Sequence, residues 1–197
     1  MPPLIRPLLA PVVLALGLLL SGCGAVVIGG AATGAAIAYD RRDAETVVDD
    51  QKIELRALDI KDKNPQLAEQ TQISATSYNR LVLLTGQAAS VDASRRFAGL
   101  VARIPGVKRV INEVQIGPNI SLAQQSSDSY LTGKVKAALI GVDAEEFEAT
   151  RIKVVSHDGA VYLMGLETQR EAEIAVEEAR TIGGVAKVVR VFEYIQG

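Results

Sequence analysis

Residues 71–86 read TQISATSYNRLVLLTG, and residues 150–165 read TRIKVVSHDGAVYLMG. The two stretches align without a gap, and each begins with threonine and ends with glycine. In both, β-branched and other apolar residues flank a short turn signal, Tyr78-Asn79 in the first stretch and His157-Asp158-Gly159 in the second. This pattern is typical of a β-hairpin. Because it occurs twice, the sequence predicts one structural unit in two copies, with each hairpin ending at its glycine.

The residues around each hairpin extend the unit. A helical pattern follows each hairpin and stops at Pro105-Gly106 or at Gly183-Gly184, which are helix-ending signals. A valine-rich strand comes next, and a further helix precedes each hairpin, so that each copy reads αββαβ. The predicted helices are 48–62 and 91–104 in the first copy and 128–141 and 168–182 in the second, and the last strands are 107–114 and 185–192.

The first 22 residues have the pattern of a lipoprotein signal peptide. Arg6 is followed by an apolar run from Leu8 to Leu20. The run is too short for a comfortable membrane span and is typical of the apolar core of a signal peptide. Leu20-Ser21-Gly22-Cys23 resembles the lipobox of bacterial lipoproteins, in which small residues precede the cysteine whose thiol accepts the lipid. We therefore predict lipid attachment at Cys23, the single cysteine of the chain.

The lipid attachment predicts a membrane partner. Two or three acyl chains hold a protein stably at a bilayer, so that no transmembrane helix is needed. Residues 23–46 are expected to be the lipidated N-terminus and a Gly/Ala-rich spacer, which either lies on the bilayer or is a flexible tether. Gly24, rather than aspartate, follows the cysteine, and by resemblance to enterobacterial sorting this favours the outer over the inner membrane.

Two sequence motifs in the repeated unit resemble a known family. The order αββαβ, the strand VYLMGL at 161–166 and the stretch IPGVKRVINEV at 104–114 are similar to the BON domain. Two such domains behind a lipobox resemble the dual-BON outer-membrane lipoproteins of Gram-negative bacteria. The resemblance implies an α+β fold with two tandem αββαβ domains, each a three-stranded mixed sheet packed by two helices. The expected division is a signal peptide at 1–22, the spacer at 23–46, domains at 47–116 and 126–197, and a linker at 117–125.

The sequence offers little machinery for catalysis. His157, the only histidine, falls in a predicted turn where the first copy has Tyr78, and is expected to be a solvated turn residue. No His/Cys cluster has metal-ligand spacing, and the glycines of residues 22–34 follow no strand, so that no phosphate loop is expected. We therefore expect no enzyme, no cofactor and no metal site.

Two further features limit the partners. The acidic residues Asp143, Glu145, Glu146 and Glu148 crowd one loop, which can bind a cation or supply an acid/base pair but is more often a solvated surface. Lysine and arginine number 21 against 23 acidic residues, and this balance does not favour a nucleic-acid partner.

The helix predicted at 128–141 carries the candidate binding surface. Leu131, Val135 and Leu139 share the face expected to cover the sheet. The opposite face carries Tyr130, Gly133, Lys134 and Ala137. A tyrosine suits a membrane interface and a lysine can reach toward lipid phosphate, but Tyr130 can equally pack against the linker or the first domain.

The resemblance favours the lipid interpretation. The resemblance to dual-BON lipoproteins implies that the first helix of the second domain binds anionic phospholipid. In these proteins an aromatic residue occupies the position of Tyr130. Because acidic residues outnumber basic ones from Ser126 onward, lipid binding depends on the local orientation of cations, namely Lys134, Lys136 and either Arg151 or Lys153. The sequence thus predicts a non-enzymatic, periplasm-facing outer-membrane lipoprotein that supports envelope integrity. The alternatives are an adaptor for an outer-membrane assembly or cell-wall complex and, more weakly, a hydrolase that uses the acidic loop.

Overall fold

The computed structural model describes residues 40–197. The predicted signal peptide, Cys23 and most of the spacer lie outside the described residues. The first domain consists of α1 (Ala44–Lys63), α2 (Pro65–Glu69), β1 (Thr71–Tyr78), β2 (Leu81–Ala88), α3 (Val91–Val101), β3 (Arg109–Asn112) and β4 (Gln115–Ile116). The second domain consists of α4 (Leu122–Ile140), a 3-10 turn (Ala149–Arg151), β5 (Lys153–His157), β6 (Ala160–Glu167), α5 (Gln169–Thr181) and β7 (Lys187–Tyr194).

Each domain contains one mixed sheet, which confirms the predicted α+β class. β1 and β2 are antiparallel, and β3 and β4 both pair with β2 in parallel, because α3 carries the chain back across the sheet. In the second domain β5 is antiparallel to β6, and β7 is parallel to β6. The first sheet therefore has a short fourth strand, β4, that the sequence did not predict.

The first hairpin turn lies one residue beyond its predicted position, and the second occupies the last two of its three predicted residues. Asn79 and Arg80 form the first turn with φ of 51° and 66°, and Asp158 and Gly159 form the second with φ of 47° and 72°. Positive φ at both central residues matches the twist of the flanking strands, and Asn, Asp and Gly tolerate it best. The prediction of His157 as a solvated turn residue is therefore wrong. Tyr78 and His157 both end their strands and are buried.

Two helices begin earlier than predicted because each has a capping side chain upstream. Asp43 accepts a hydrogen bond from the backbone N–H of Thr46 at the start of α1. Ser121 accepts one from Gln124 at the start of α4, so that this helix begins inside the segment expected to be a linker. A side-chain acceptor at this position satisfies a backbone donor that the helix itself leaves unpaired.

The two glycines of the repeat lie within strands rather than at their ends, because β2 and β6 continue to Ala88 and Glu167. Gly86 has a φ of 122°, and a Cβ atom there would lie 2.0 Å from the backbone oxygen of Gln72. Gly165 has no such φ, and its added Cβ would meet only the side chain of Glu167, at 2.9 Å. The backbone thus requires glycine at position 86, whereas the restriction at position 165 comes from one side chain.

Helices cover one face of each sheet. Ile53, Phe97 and Val101 of α1 and α3 pack on Val82 and Leu84 of β2 to form the core of the first domain. The core of the second domain is made in the same way by α4 and α5 against β5, β6 and β7, with Leu131, Val135, Leu139, Ala172, Ala175, Val161, Leu163 and Phe192 among its buried residues. Among the described residues 40–197, no helix is long and apolar enough to cross a membrane.

Candidate functional site

The faces of the two sheets that carry no helices pack against each other. The shared core contains Tyr78, Leu81 and Leu83 from the first domain and Ala160, Tyr162, Met164 and Val191 from the second. Polar contacts surround it: the hydroxyl of Tyr78 donates to the backbone oxygen of Arg151 at 2.9 Å, and the side chain of Lys153 donates to Glu54 at 2.7 Å. The two domains are therefore joined through a common hydrophobic layer.

This shared layer was missed by the sequence analysis, although a signal for it is present. Residues 81–84 read LVLL and residues 160–164 read AVYLM, without the alternation of a half-buried strand. A strand buried on both faces has a continuous apolar run of this kind. All eight residues of β2 are buried, as the run indicates.

Arg41 and Arg42 lie before α1, at the junction of the two domains. Arg41 donates hydrogen bonds to Glu167 at 2.8 Å and to Glu171 at 2.7 Å, both in the second domain. Arg42 forms an ion pair with Asp50 of the first domain at 2.8 Å, and its guanidinium lies 3.8 Å from the ring centroid of Tyr78. Two consecutive arginines inside the segment predicted to be a spacer thus bind one domain each.

The two acidic partners of Arg41 differ in pKa. Burial alone would raise the pKa of Glu171, but hydrogen bonds from Arg41 and Thr168 outweigh it and lower that pKa to about 2. Burial raises the pKa of Glu167 to about 7, against the attraction of Arg41. Glu167 is 1% exposed, and its Oε1 has no hydrogen-bond partner.

Replacing Glu167 with glutamine is expected to make stability less dependent on pH. The pKa of Glu167 in the folded state, about 7, is above its ordinary value of 4.5. The contribution of the protonated carboxyl to the free energy of unfolding is therefore complete below a pH of 4.5 and is lost as the pH rises through 7. Thermal unfolding of the native chain should therefore occur at lower temperature at a pH of about 8 than at about 5, and the difference should shrink in Glu167→Gln. The control is Glu173→Gln, an exposed position on α5. Equal pH dependence in the native chain and in Glu167→Gln would contradict this assignment.

Helix α4 places the candidate lipid-binding residues on its outer side. Leu131, Val135 and Leu139 are buried against the sheet, as predicted, and this fixes the rotation of the helix. Tyr130 is 71% exposed and so does not pack against the linker or the first domain. Gly133 and Ala137 are also exposed, and no atom lies within 4 Å of a Cβ built on Gly133.

Two further residues define the chemistry of this surface. Ile140, also 71% exposed, is an apolar residue of the outer side that the sequence analysis did not name. Ten residues make about 2.8 helical turns, so Ile140 lies about 80° around the helix axis and about 15 Å along it from Tyr130. Lys134 is half-buried: its Nζ donates to the backbone oxygen of Gly183 at 2.6 Å and lies 5.8 Å from the centroid of the Tyr130 ring. We define Tyr130, Gly133, Lys134, Ala137 and Ile140 as the outer face of α4.

The other candidates from the sequence do not assemble into a site. In the acidic loop Glu148 accepts a hydrogen bond from the backbone of Thr150 and thereby caps the 3-10 turn, while Asp143 and Glu145 are exposed. Within residues 40–197 no group of three or more His, Cys, Asp or Glu side chains could hold a metal ion. His157 lies elsewhere, with its Nδ1 at 3.8 Å from Asp128 Oδ2.

Comparison with known proteins identifies the repeated unit. The BON domain model matches residues 49–118 and again residues 127–196. The outer membrane lipoprotein DolP of Haemophilus influenzae is 40% identical over 176 residues, which cover 89% of this chain and 90% of that protein. A 21 kDa hemolysin of Actinobacillus pleuropneumoniae is 38% identical over 157 residues, which cover 80% of each chain.

A solved structure of low sequence identity also resembles the chain remotely. CdsD, a structural protein of the type III secretion system of Chlamydia trachomatis, matches with a TM-score of 0.28 and 14% identity, over 77% of this chain and 93% of that one. A likeness at this level carries no argument about function. The two matches to the family model and the high identity to relatives over most of their length show that this chain belongs to the BON-domain family, as an outer-membrane lipoprotein with two BON domains.

Proposed function

We propose that the chain is a non-enzymatic lipoprotein, anchored by lipid on Cys23, whose second BON domain binds anionic phospholipid through the outer face of α4 and thereby supports outer-membrane integrity. The observation that carries the proposal is the exposure of Tyr130, 71%, on a helix whose opposite side is fully engaged in the core. A large aromatic side chain that contributes little to the fold is available for binding.

The residues of the outer face suit the boundary between lipid headgroups and acyl chains. The ring of Tyr130 and the side chain of Ile140 provide apolar surface, and the tyrosine hydroxyl can remain in water. Gly133 and Ala137 are small, so a membrane surface can approach the helix closely between the larger side chains. Near the ring, Lys134 supplies a positive charge, and Lys136 is exposed on the same helix.

An adaptor function is the second candidate, and two contacts favour it. Lys134 already donates a hydrogen bond to Gly183, and Lys153 is paired with Glu54 across the domain junction. These cations are thus less available to phosphate than the sequence alone indicated. In an adaptor the outer face of α4 contacts a protein, such as one of an outer-membrane assembly or cell-wall complex.

Binding to liposomes separates these two functions. The chain is produced without signal peptide and lipid, with Cys23 replaced by serine, and is sedimented with vesicles of phosphatidylcholine with or without phosphatidylglycerol. We expect Tyr130→Glu to weaken binding to the anionic vesicles at least about tenfold, because it removes the interfacial ring and adds a charge repelled by phosphate. Tyr130→Trp should retain or strengthen binding, and added salt should weaken it.

The matched control is Tyr194→Glu, which introduces the same change at another exposed tyrosine, 51% exposed on β7. It should bind anionic vesicles like the parent chain. If Tyr130→Glu keeps both its melting temperature and its binding, the lipid site lies elsewhere and the adaptor function is the better proposal. Binding to neutral vesicles that equals binding to anionic ones would show that the phosphate charge plays no role.

A further inference from the structure

A cleft with a volume of about 300 Å³ lies between the two domains, away from the outer face of α4. One wall comes from the first domain, with Gln72 and Ser74 of the edge strand β1 and Thr85 of β2. The other wall comes from the second domain, from α4 and the edge strand β5. The volume is at the lower end of the range for small-molecule sites.

Three buried polar atoms without a hydrogen-bond partner belong to residues that line this cleft. They are Asp128 Oδ2, Ser156 Oγ and His157 Nε2. The side chains of Asp128 and His157 are 8% and 9% exposed, so both are more than nine-tenths buried. A buried polar atom without a partner is costly to the fold, and its retention calls for an explanation.

The second wall carries an acidic group without a matching donor. Asp128 Oδ2 lies 3.8 Å from His157 Nδ1, which is beyond hydrogen-bond distance. The other oxygen, Oδ1, accepts only a long bond from Gln124, at 3.5 Å. The carboxylate therefore has capacity for a donor from outside the protein.

The charge of the cleft selects against anions. Of the described residues that line it, Asp128 and His157 are the only ionisable ones, and neither Lys nor Arg is among them. A phosphate or carboxylate group carries negative charge and would face the Asp128 carboxylate. This chemistry is opposite to that of the outer face of α4, where Lys134 lies beside Tyr130.

The mixture of donors and acceptors indicates which ligand fits. Ser156 Oγ both donates and accepts, Asp128 Oδ2 only accepts, and His157 Nε2 does one or the other depending on its tautomer. A hydroxyl group also donates and accepts, so it can pair with any of the three atoms, whereas an ammonium group only donates. Gln72, Ser74 and Thr85 add amide and hydroxyl groups on the facing wall.

We propose that the interdomain cleft is a binding site for a hydroxyl-rich, uncharged or amine-bearing ligand of the size of a sugar unit, held by Asp128, Ser156 and His157. The three atoms are shielded from solvent. Ligand entry therefore includes a side-chain rotation in the cleft wall, a change that is common at binding sites. Because the cleft is formed by both domains, the ligand contacts both.

The test uses the full lipidated protein in a detergent without a sugar headgroup, and saturation-transfer difference NMR with glucosamine and N-acetylglucosamine as probes. Both sugars are expected to show saturable binding. Ethanolamine tests whether the amine alone is recognised, and inorganic phosphate tests for anion binding. Both should bind at least about tenfold more weakly than the sugars, since a tenfold change corresponds to the loss of one good hydrogen bond.

Variants locate the binding. Asp128→Asn should weaken sugar binding about tenfold, because the charged acceptor is lost, and Ser156→Ala should weaken it several-fold. Ser156→Ala removes a hydroxyl that has no partner in the fold, so its melting temperature should be unchanged even if Asp128→Asn is unstable. The matched control, Asp158→Asn in the adjacent turn, is exposed and does not line the cleft, and should bind like the parent.

Three results would overturn the proposal. The first is the absence of saturable binding of either sugar, which would mean that only water occupies the cleft. The second is sugar binding that neither Asp128→Asn nor Ser156→Ala weakens. The third is binding of ethanolamine or phosphate as tight as that of the sugars.

Discussion

Replacing Cys23 with alanine is expected to abolish lipid attachment entirely and to leave an unprocessed precursor that still carries residues 1–22. In the proposed attachment the thiol is the acceptor for the lipid, and Cys23 is the only cysteine of the chain, so no other side chain can substitute. Each buried methylene of an acyl chain contributes about 0.8 kcal/mol to membrane binding. Cys23→Ala loses the whole contribution of the acyl chains. Mass spectrometry of the purified protein and membrane fractionation measure both effects.

The matched control is Ser21→Ala, which keeps a small residue before the cysteine and should be processed and lipidated like the parent chain. A mature N-terminus at another position, together with normal membrane fractionation of Cys23→Ala, would show that Cys23 is not the anchor. The experiment is independent of the phospholipid binding proposed for α4, because it concerns only the covalent attachment.

Tyr162→Ala is expected to lower the free energy of unfolding by about 3–5 kcal/mol, the range for deletion of a large buried aromatic side chain. Tyr162 is 1% exposed and lies in the core shared by the two sheets, so the cavity forms between the domains rather than inside one of them. Burial also raises the pKa of its hydroxyl to about 12, with Glu113 as a neighbour. Urea unfolding followed by circular dichroism measures the loss.

Tyr194→Ala provides the comparison, since that tyrosine is half exposed and an exposed substitution usually changes stability by less than about 0.5–1 kcal/mol. If the two variants unfold at the same urea concentration, the shared core contributes little and the domains are held by their polar contacts. If Tyr162→Ala unfolds in two separate transitions, the shared core is what makes the domains unfold together.

The repeated unit could be predicted from the sequence because its signals are local. Runs of β-branched and apolar residues, turn residues and Gly183-Gly184 each act within a few positions, and they indicated the αββαβ order in both copies. The starts of α1 and α4 are also encoded locally, by the capping residues Asp43 and Ser121. They were not predicted because the residues after each cap are mostly polar and do not show the spacing of apolar residues that indicates a helix. His157 is the last residue of β5 because the two-residue turn is formed by Asp158 and Gly159. The sequence analysis had included His157 in that turn.

Contacts between distant parts of the chain could not be predicted in this way. The outward position of Tyr130 followed from helical spacing, whereas the bond of Lys134 to Gly183 joins residues 49 positions apart. The packing of the two sheets likewise depends on which faces the helices leave uncovered. The cleft with Asp128 and His157 exists only because these sheets meet, so no local pattern indicated it.

The two arginines at the start of the described chain have a mechanical consequence. In the proposed lipid-anchored protein, tension from the anchor acts on the chain before α1, and there Arg41 and Arg42 are attached to different domains. The load is therefore divided between the domains before it can peel α1 from its sheet. We therefore expect these ion pairs to keep the start of α1 in place when the proposed anchor is under tension.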